Sequence, residues 1–152
     1  MTLKVLVERK TFLVSREAEY GGNWCSIAKH SRGSVYVLGF EKVEVGWLIE
    51  QLTKAIELKS YLGFNKKYRG KFCVHLLEVS FNNHGRFIRI SKFATNRKPT
   101  FLVIPEGEKG RGWENLKSAL ASLSVVPSSN VYGNGRHYRE VRFTHNHVGP
   151  LN

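Results

Sequence analysis

The residues best suited to chemistry in this chain lie in one short segment, Gly85-Arg86-Phe87-Ile88-Arg89-Ile90-Ser91-Lys92-Phe93. An extended strand sends alternate side chains to opposite faces. Ile88 and Ile90 are therefore expected inward, and Phe87, Arg89, Ser91 and Phe93 outward. Rings interleaved with a guanidinium suit a single nucleic-acid strand, because bases stack on the rings while cations neutralise phosphates. Each stacked base contributes about 1–3 kcal/mol. Further cations cluster at Lys66, Lys67, Arg69 and Lys71, at Arg97 and Lys98, and at Arg136, Arg139 and Arg142. Together with Lys92 they are expected to follow a phosphate backbone, adding a salt-dependent term.

Other chemistries find less support. There is no phosphate-cradling GxxxxGK[ST], no GxSxG, no HExxH and no spaced carboxylate pair, so no enzymatic activity and no cofactor are expected. Pro105-Glu106-Gly107-Glu108-Lys109-Gly110-Arg111-Gly112 is rich in glycine but reads as a strand-to-helix loop. His137, His145 and His147 lie near one another without Asp or Cys, too poor a donor set for structural zinc. Cys25 and Cys73 form no CxxC pair and sit in apolar stretches, as expected of small core residues in a reducing compartment.

The 152 residues carry 24 Lys and Arg against 12 Asp and Glu, a formal net charge of +12, which points to an anionic partner. No apolar run approaches the roughly 18 residues that would span a bilayer, and Met1 to Ser15 lacks a secretory h-region. The expected location is intracellular, nuclear or cytoplasmic, without secretion or a membrane partner. Lys66 to Lys71 resembles a weak nuclear-entry signal.

The strand that carries the candidate residues is half of a repeat. Gly22-Asn23-Trp24-Cys25-Ser26-Ile27-Ala28-Lys29 matches Gly85-Arg86-Phe87-Ile88-Arg89-Ile90-Ser91-Lys92, placing Cys25 and Ile27 inward and Trp24, Ser26, Ala28 and His30 outward. Apolar segments flank both copies, Phe12-Leu13-Val14 and Val35-Tyr36-Val37-Leu38 in the first, Leu76-Leu77-Glu78-Val79 and Phe101-Leu102-Val103-Ile104 in the second. Each copy then reaches Gly-Trp. From Gly46-Trp47, Leu48, Leu52 and Ile56 recur at helical spacing, and from Gly112-Trp113, Leu116, Leu120 and Leu123 do the same. Neither a strand nor a helix buries its apolar side alone.

The expected fold is α+β: two tandem ββββα repeats packed as one domain (1–125), with antiparallel sheets and one helix each. Repeat I runs over about 10–59, a basic connector over 60–71, and repeat II over about 71–124. Residues 126–152, with Pro127 and Gly133-Asn134-Gly135, are expected to be a loosely ordered extension.

The second copy resembles a PUR repeat of the purine-rich-element-binding, Pur-alpha-like family, within the wider group of ββββα single-strand binders that includes Whirly and positive-cofactor-four proteins. The resemblance covers roughly 10–59 and 71–124. It implies two intertwined repeats whose curved sheets bind single-stranded DNA or RNA without a cofactor, in transcription or RNA regulation. The family's contacts come from three alternate positions before the glycine and from the aromatic two residues after it. In the second copy these are Ser80, Asn82, His84 and Phe87. In the first they are Glu17, Glu19, Gly21 and Trp24, where two acids would repel phosphate. The nucleic-acid-binding set is thus Asn82, His84, Arg86, Phe87, Arg89, Lys92, Phe93, Arg97, Lys98, Trp24, Lys66, Lys67 and Arg69. A scaffold module that uses the same sheet face or the tail to bind a protein partner, or a homodimer, is the competing expectation, and a nuclease built on the tail histidines comes third.

Overall fold

The computed structural model describes residues 1–17, 23–58 and 63–124. Strands β1 (Thr2–Val7), β2 (Lys10–Arg16), β3 (Cys25–Ser31) and β4 (Ser34–Phe40) form one antiparallel sheet in sequential order, followed by helix α1 (Lys42–Glu57). Strands β5 (Phe64–Arg69), β6 (Cys73–Asn82), β7 (Gly85–Ala94) and β8 (Thr100–Pro105) repeat the meander, followed by a 3-10 turn, Glu108–Gly110, and helix α2 (Arg111–Ser124). The expected pair of ββββα units is therefore present, and their buried apolar residues form one core.

Two boundaries differ from the sequence reading. The first unit begins at β1, where Leu3, Val5 and Val7 are buried and alternate with exposed neighbours. The supposed connector is largely β5, paired with β6 from Phe64↔Val79 to Arg69↔Val74. Its cations disguise a strand whose inward contacts come from Phe64, packed on the core, and Tyr68, whose ring lies 5.4 Å from that of Trp47. The expected extension at 126–152, with Arg136, Arg139, Arg142 and the three tail histidines, lies outside the described residues.

The helices cross over. The Glu44 carboxylate of α1 meets Nδ1 of His75 on β6 in the buried interior, and the His75 ring stacks on Phe40 at 4.8 Å. At the other end of α1, the carbonyls of Ala55 and Leu58 accept hydrogen bonds from Arg86 on β7, at 3.1 and 2.5 Å. α1 thus covers the second sheet, whereas α2 lies against β1 and β2 of the first as well as β8. Exchange of helices ties the two units into one body, since each sheet's apolar face is closed by the other unit.

The repeated Gly-Trp does not have the same task twice. A Cβ at Gly112 would meet Val7 Cγ1 at 2.6 Å, so glycine lets α2 approach β1, whereas a Cβ at Gly46 would meet nothing within 4 Å. Trp113 is fully buried and donates Nε1–H to the Ile104 carbonyl at 3.1 Å. Trp47 is only partly buried. Moreover α1 starts four residues before Gly46, with the Glu41 N–H donating to Glu44 Oε1 at 3.2 Å in its first turn.

Both cysteines are free thiols, Cys25 buried and Cys73 half-buried. Burial, with the Glu17 carboxylate second, pushes the Cys25 thiol up from 9.0 to about 12. The folded chain therefore holds a proton that the unfolded chain releases near 9.0. This contribution to stability is complete below that pH and is lost as pH rises towards about 12. The urea midpoint of the wild type is expected to fall above about pH 9, and that of Cys25→Ala to fall less. Parallel declines would contradict this account.

Candidate nucleic-acid interface

Antiparallel pairing decides which side chains share a face. On the second sheet, Leu77↔Ile90 and Val79↔Ile88 point to the core, continued by Leu102 and Ile104 of β8. The opposite parity forms the outer face, in rungs Ser80↔Phe87↔Pro105, Glu78↔Arg89↔Val103, Leu76↔Ser91↔Phe101 and Val74↔Phe93. Lys67 and Arg69 extend this face on β5 by the same parity. The expected alternation along β7 holds for Ile88 and Ile90, which are buried, and for Arg89 and Phe93, which are exposed. Phe87 is half-buried, and Ser91, though of outer parity, is 7% exposed between its larger neighbours Leu76 and Phe101.

Arg89 is the centre of this face. Its guanidinium lies 5.6 Å from the Phe101 ring centroid, and its Nη2 sits 3.2 Å from Glu78 Oε1. A cation held over a ring and beside a carboxylate keeps a fixed position while remaining 47% exposed. Phe93 is 42% and Phe101 54% exposed, and Phe87 is half-buried beside Pro105. Such rings offer broad apolar planes to flat ligands, and three cations (Lys67, Arg69, Arg89) against one acid (Glu78) leave the face positive. Phe101 stands in an unbroken apolar run, 101–104, which conceals from the sequence that its side chain faces outward. The parity argument applied to β7 would have found it.

The sequence-predicted residues do not all gather here. Phe87, Arg89 and Phe93 lie on the outer face, with Lys67 and Arg69 on the same side of the neighbouring edge strand. Asn82 and His84 sit at the β6–β7 turn, where Asn82 Oδ1 accepts the His84 N–H at 2.8 Å. Gly85 completes the turn at φ +123°, which disfavours any side chain.

Two assignments need correction, those of Arg86 and Trp24. Arg86 is 8% exposed: its Nε and Nη2 bond the Glu106 carboxylate at 3.2 and 2.8 Å, and its guanidinium lies 4.9 Å from the Trp113 ring centroid. A charge so enclosed joins α1 to the second sheet and cannot reach a phosphate outside. Trp24 is 3% exposed, because the bend before β3 turns its ring under Arg16 and Lys42 at 5.0 and 5.9 Å. Lys92 has inward parity, opposite Phe87 and Phe93, and Lys66 shares a side with Phe64 and Tyr68. Both lie off the outer face. Arg97 and Lys98 belong to the β7–β8 turn, where with Lys92 they line a separate groove.

Over 118 residues the chain is 19% identical to the transcription factor Pur-alpha 1 of Arabidopsis thaliana. The match covers 77% of this chain and 40% of that protein, so most of the relative lies beyond it. No family model matches the chain. The similarity is distant, and it accords with the PUR-like pattern of the second copy.

The first sheet has no equivalent of this face. Its outward positions are Thr2, Lys4, Leu6, Thr11, Leu13, Ser15, Ser26, Ala28, His30, Val35, Val37 and Gly39, without a ring of Phe, Tyr or Trp or a guanidinium. Glu17 accepts the Ser26 hydroxyl at 2.6 Å, which keeps an anion at its border. The two units match in topology and differ in surface chemistry.

Proposed function

We propose that the protein is a non-enzymatic module that binds single-stranded DNA or RNA on the outer face of its second sheet. The observation that carries this reading is the cluster of exposed Phe93 and Phe101 with half-buried Phe87 around the anchored Arg89. Bases stack on the rings, and Arg89, Lys67 and Arg69 neutralise phosphates. A duplex hides its base planes, so the same face favours single strands. The net charge of +12 and the distant similarity to a transcription factor support this reading, and a role in transcription or RNA regulation follows from the resemblance. Asn82 retains its amide N–H donors for a base or phosphate at the turn, beside His84.

Glu78 supplies a direct test. It holds Arg89 but places an anion among the phosphate-binding groups. Glu78→Gln is expected to tighten single-strand binding about fivefold at low salt, since a unit-charge contact at about 4 Å in water is worth about 1 kcal/mol. The gain should shrink as salt rises. Fluorescence anisotropy across a salt series measures both, and unchanged or weaker binding by Glu78→Gln at low salt would count against the proposed face.

A further inference from the structure

The inner side of the second sheet is not wholly covered by α1. Beyond His75 its last rungs, Cys73↔Ala94 and Lys92↔Thr100, overhang the outer side of β4 and leave a groove of about 680 Å³. This volume falls within the range of small-ligand sites. Lys71, Phe72, Lys92, Arg97 and Lys98 line it, with Val37, Gly39 and Asn23 on the β4 side. Its acids are both engaged, Glu41 accepting the Lys71 N–H at 3.0 Å and Glu44 meeting Nδ1 of His75. Among the described residues the four cations form no ion pair. Phe72, at the β5–β6 turn, is 68% exposed. The β4 wall is close-fitted, since a Cβ at Gly39 would meet the Asn23 side chain at 2.5 Å.

We propose that this groove takes a nucleotide of the bound strand, its base against Phe72 and its phosphates among Lys71, Lys92, Arg97 and Lys98. The inference rests on the single-strand reading of the outer face and adds a second, separate contact region. Continuity supports it: along β7 the outward side chains run Phe87, Arg89, Ser91, Phe93, and the strand then ends at the turn that carries Arg97 and Lys98. A nucleic-acid strand that follows β7 past Phe93 meets this turn and the Phe72 turn together, and the groove opens between them. Unpaired cations around a cavity beside an exposed ring match the two chemical parts of a nucleotide.

The test titrates single strands lengthened one nucleotide at a time against the wild type, Phe87→Ala, Phe72→Ala and Arg97→Ala/Lys98→Ala. All substituted groove residues are exposed, so these variants should keep the wild-type fold, as circular dichroism would verify. Short strands are expected to lose affinity only with Phe87→Ala. Beyond a threshold length, Phe72→Ala should weaken binding about fivefold to a hundredfold, the stacking of one base. Over the same lengths Arg97→Ala/Lys98→Ala should lower the logarithmic salt slope by about 1.4, two phosphates at about 0.7 each. Groove variants that match the wild type at every length overturn the groove proposal, and the outer-face reading survives if Phe87→Ala still weakens binding. Loss in the groove variants at every length, with Phe87→Ala inert, overturns both the outer face and the order of contacts proposed here. A mononucleotide that binds the groove as tightly as the long strand also overturns it, because the groove would then serve a free ligand.

Discussion

Arg86→Ala is expected to lower the stability of the folded protein by about 3–5 kcal/mol, the usual cost of removing one partner from a buried ion pair. The guanidinium bonds Glu106 and the carbonyls of Ala55 and Leu58 and lies over Trp113. Alanine leaves the carbonyls at the end of α1 without this donor and the Glu106 carboxylate without its counter-charge. It also opens a cavity beside a fully buried tryptophan. Because these groups belong to α1, β7 and the approach to α2, the loss should loosen the crossed helices together. Urea unfolding followed by tryptophan fluorescence measures it. If Arg86 were a nucleic-acid contact, the midpoint would stay near the wild-type value and only binding would fall. Arg86→Lys should recover little stability, since an ammonium cannot reproduce the guanidinium's several directed bonds.

The second large effect concerns binding. Phe93→Ala/Phe101→Ala is expected to weaken single-strand affinity about thirtyfold or more, taking about 1 kcal/mol per ring as the lower bound. The exposure of both rings means their removal should change the urea midpoint little. Loss of Phe101 also removes the ring beneath Arg89, so the double variant should bind more weakly than two independent stacking losses imply. Electrophoretic or anisotropy titrations would read the change. Equal affinity for wild type and double variant would remove the outer face from consideration.

Much of the fold was legible in the sequence. The alternation of Ile88 and Ile90 with Phe87, Arg89 and Phe93, matched by Cys25 and Ile27 in the first copy, identified the two central strands and their inward sides. Periods of three and four from Trp113 to Leu123 marked the second helix. β5 was hidden because Lys66, Lys67 and Arg69 resemble a solvated turn, while its two anchors, Phe64 and Tyr68, stand four residues apart and are only half-buried. Amphipathic periodicity shows that a helix has an apolar side but not which sheet closes it, so the crossing of α1 and α2 was visible only through the family resemblance. Arg86 was misplaced for a related reason. Its carboxylate partner lies 20 residues onward and its carbonyl partners 28 and 31 residues back, and no local pattern reveals such contacts. Trp24 was misplaced because the chain bends before β3, which breaks the parity carried back from Cys25. Phe101 was overlooked because an unbroken apolar run conceals which of its members face outward.

The central claim is that exposed rings on the second sheet bind unpaired bases. Its most direct test is a competition in which labelled single-stranded DNA on the wild-type protein is displaced by unlabelled single-stranded DNA, single-stranded RNA or duplex of the same length, at one fixed salt concentration. The account predicts displacement by single strands at concentrations well below those needed with duplex, and loss of that preference in Phe93→Ala/Phe101→Ala. Duplex competing as well as or better than single strands would contradict it.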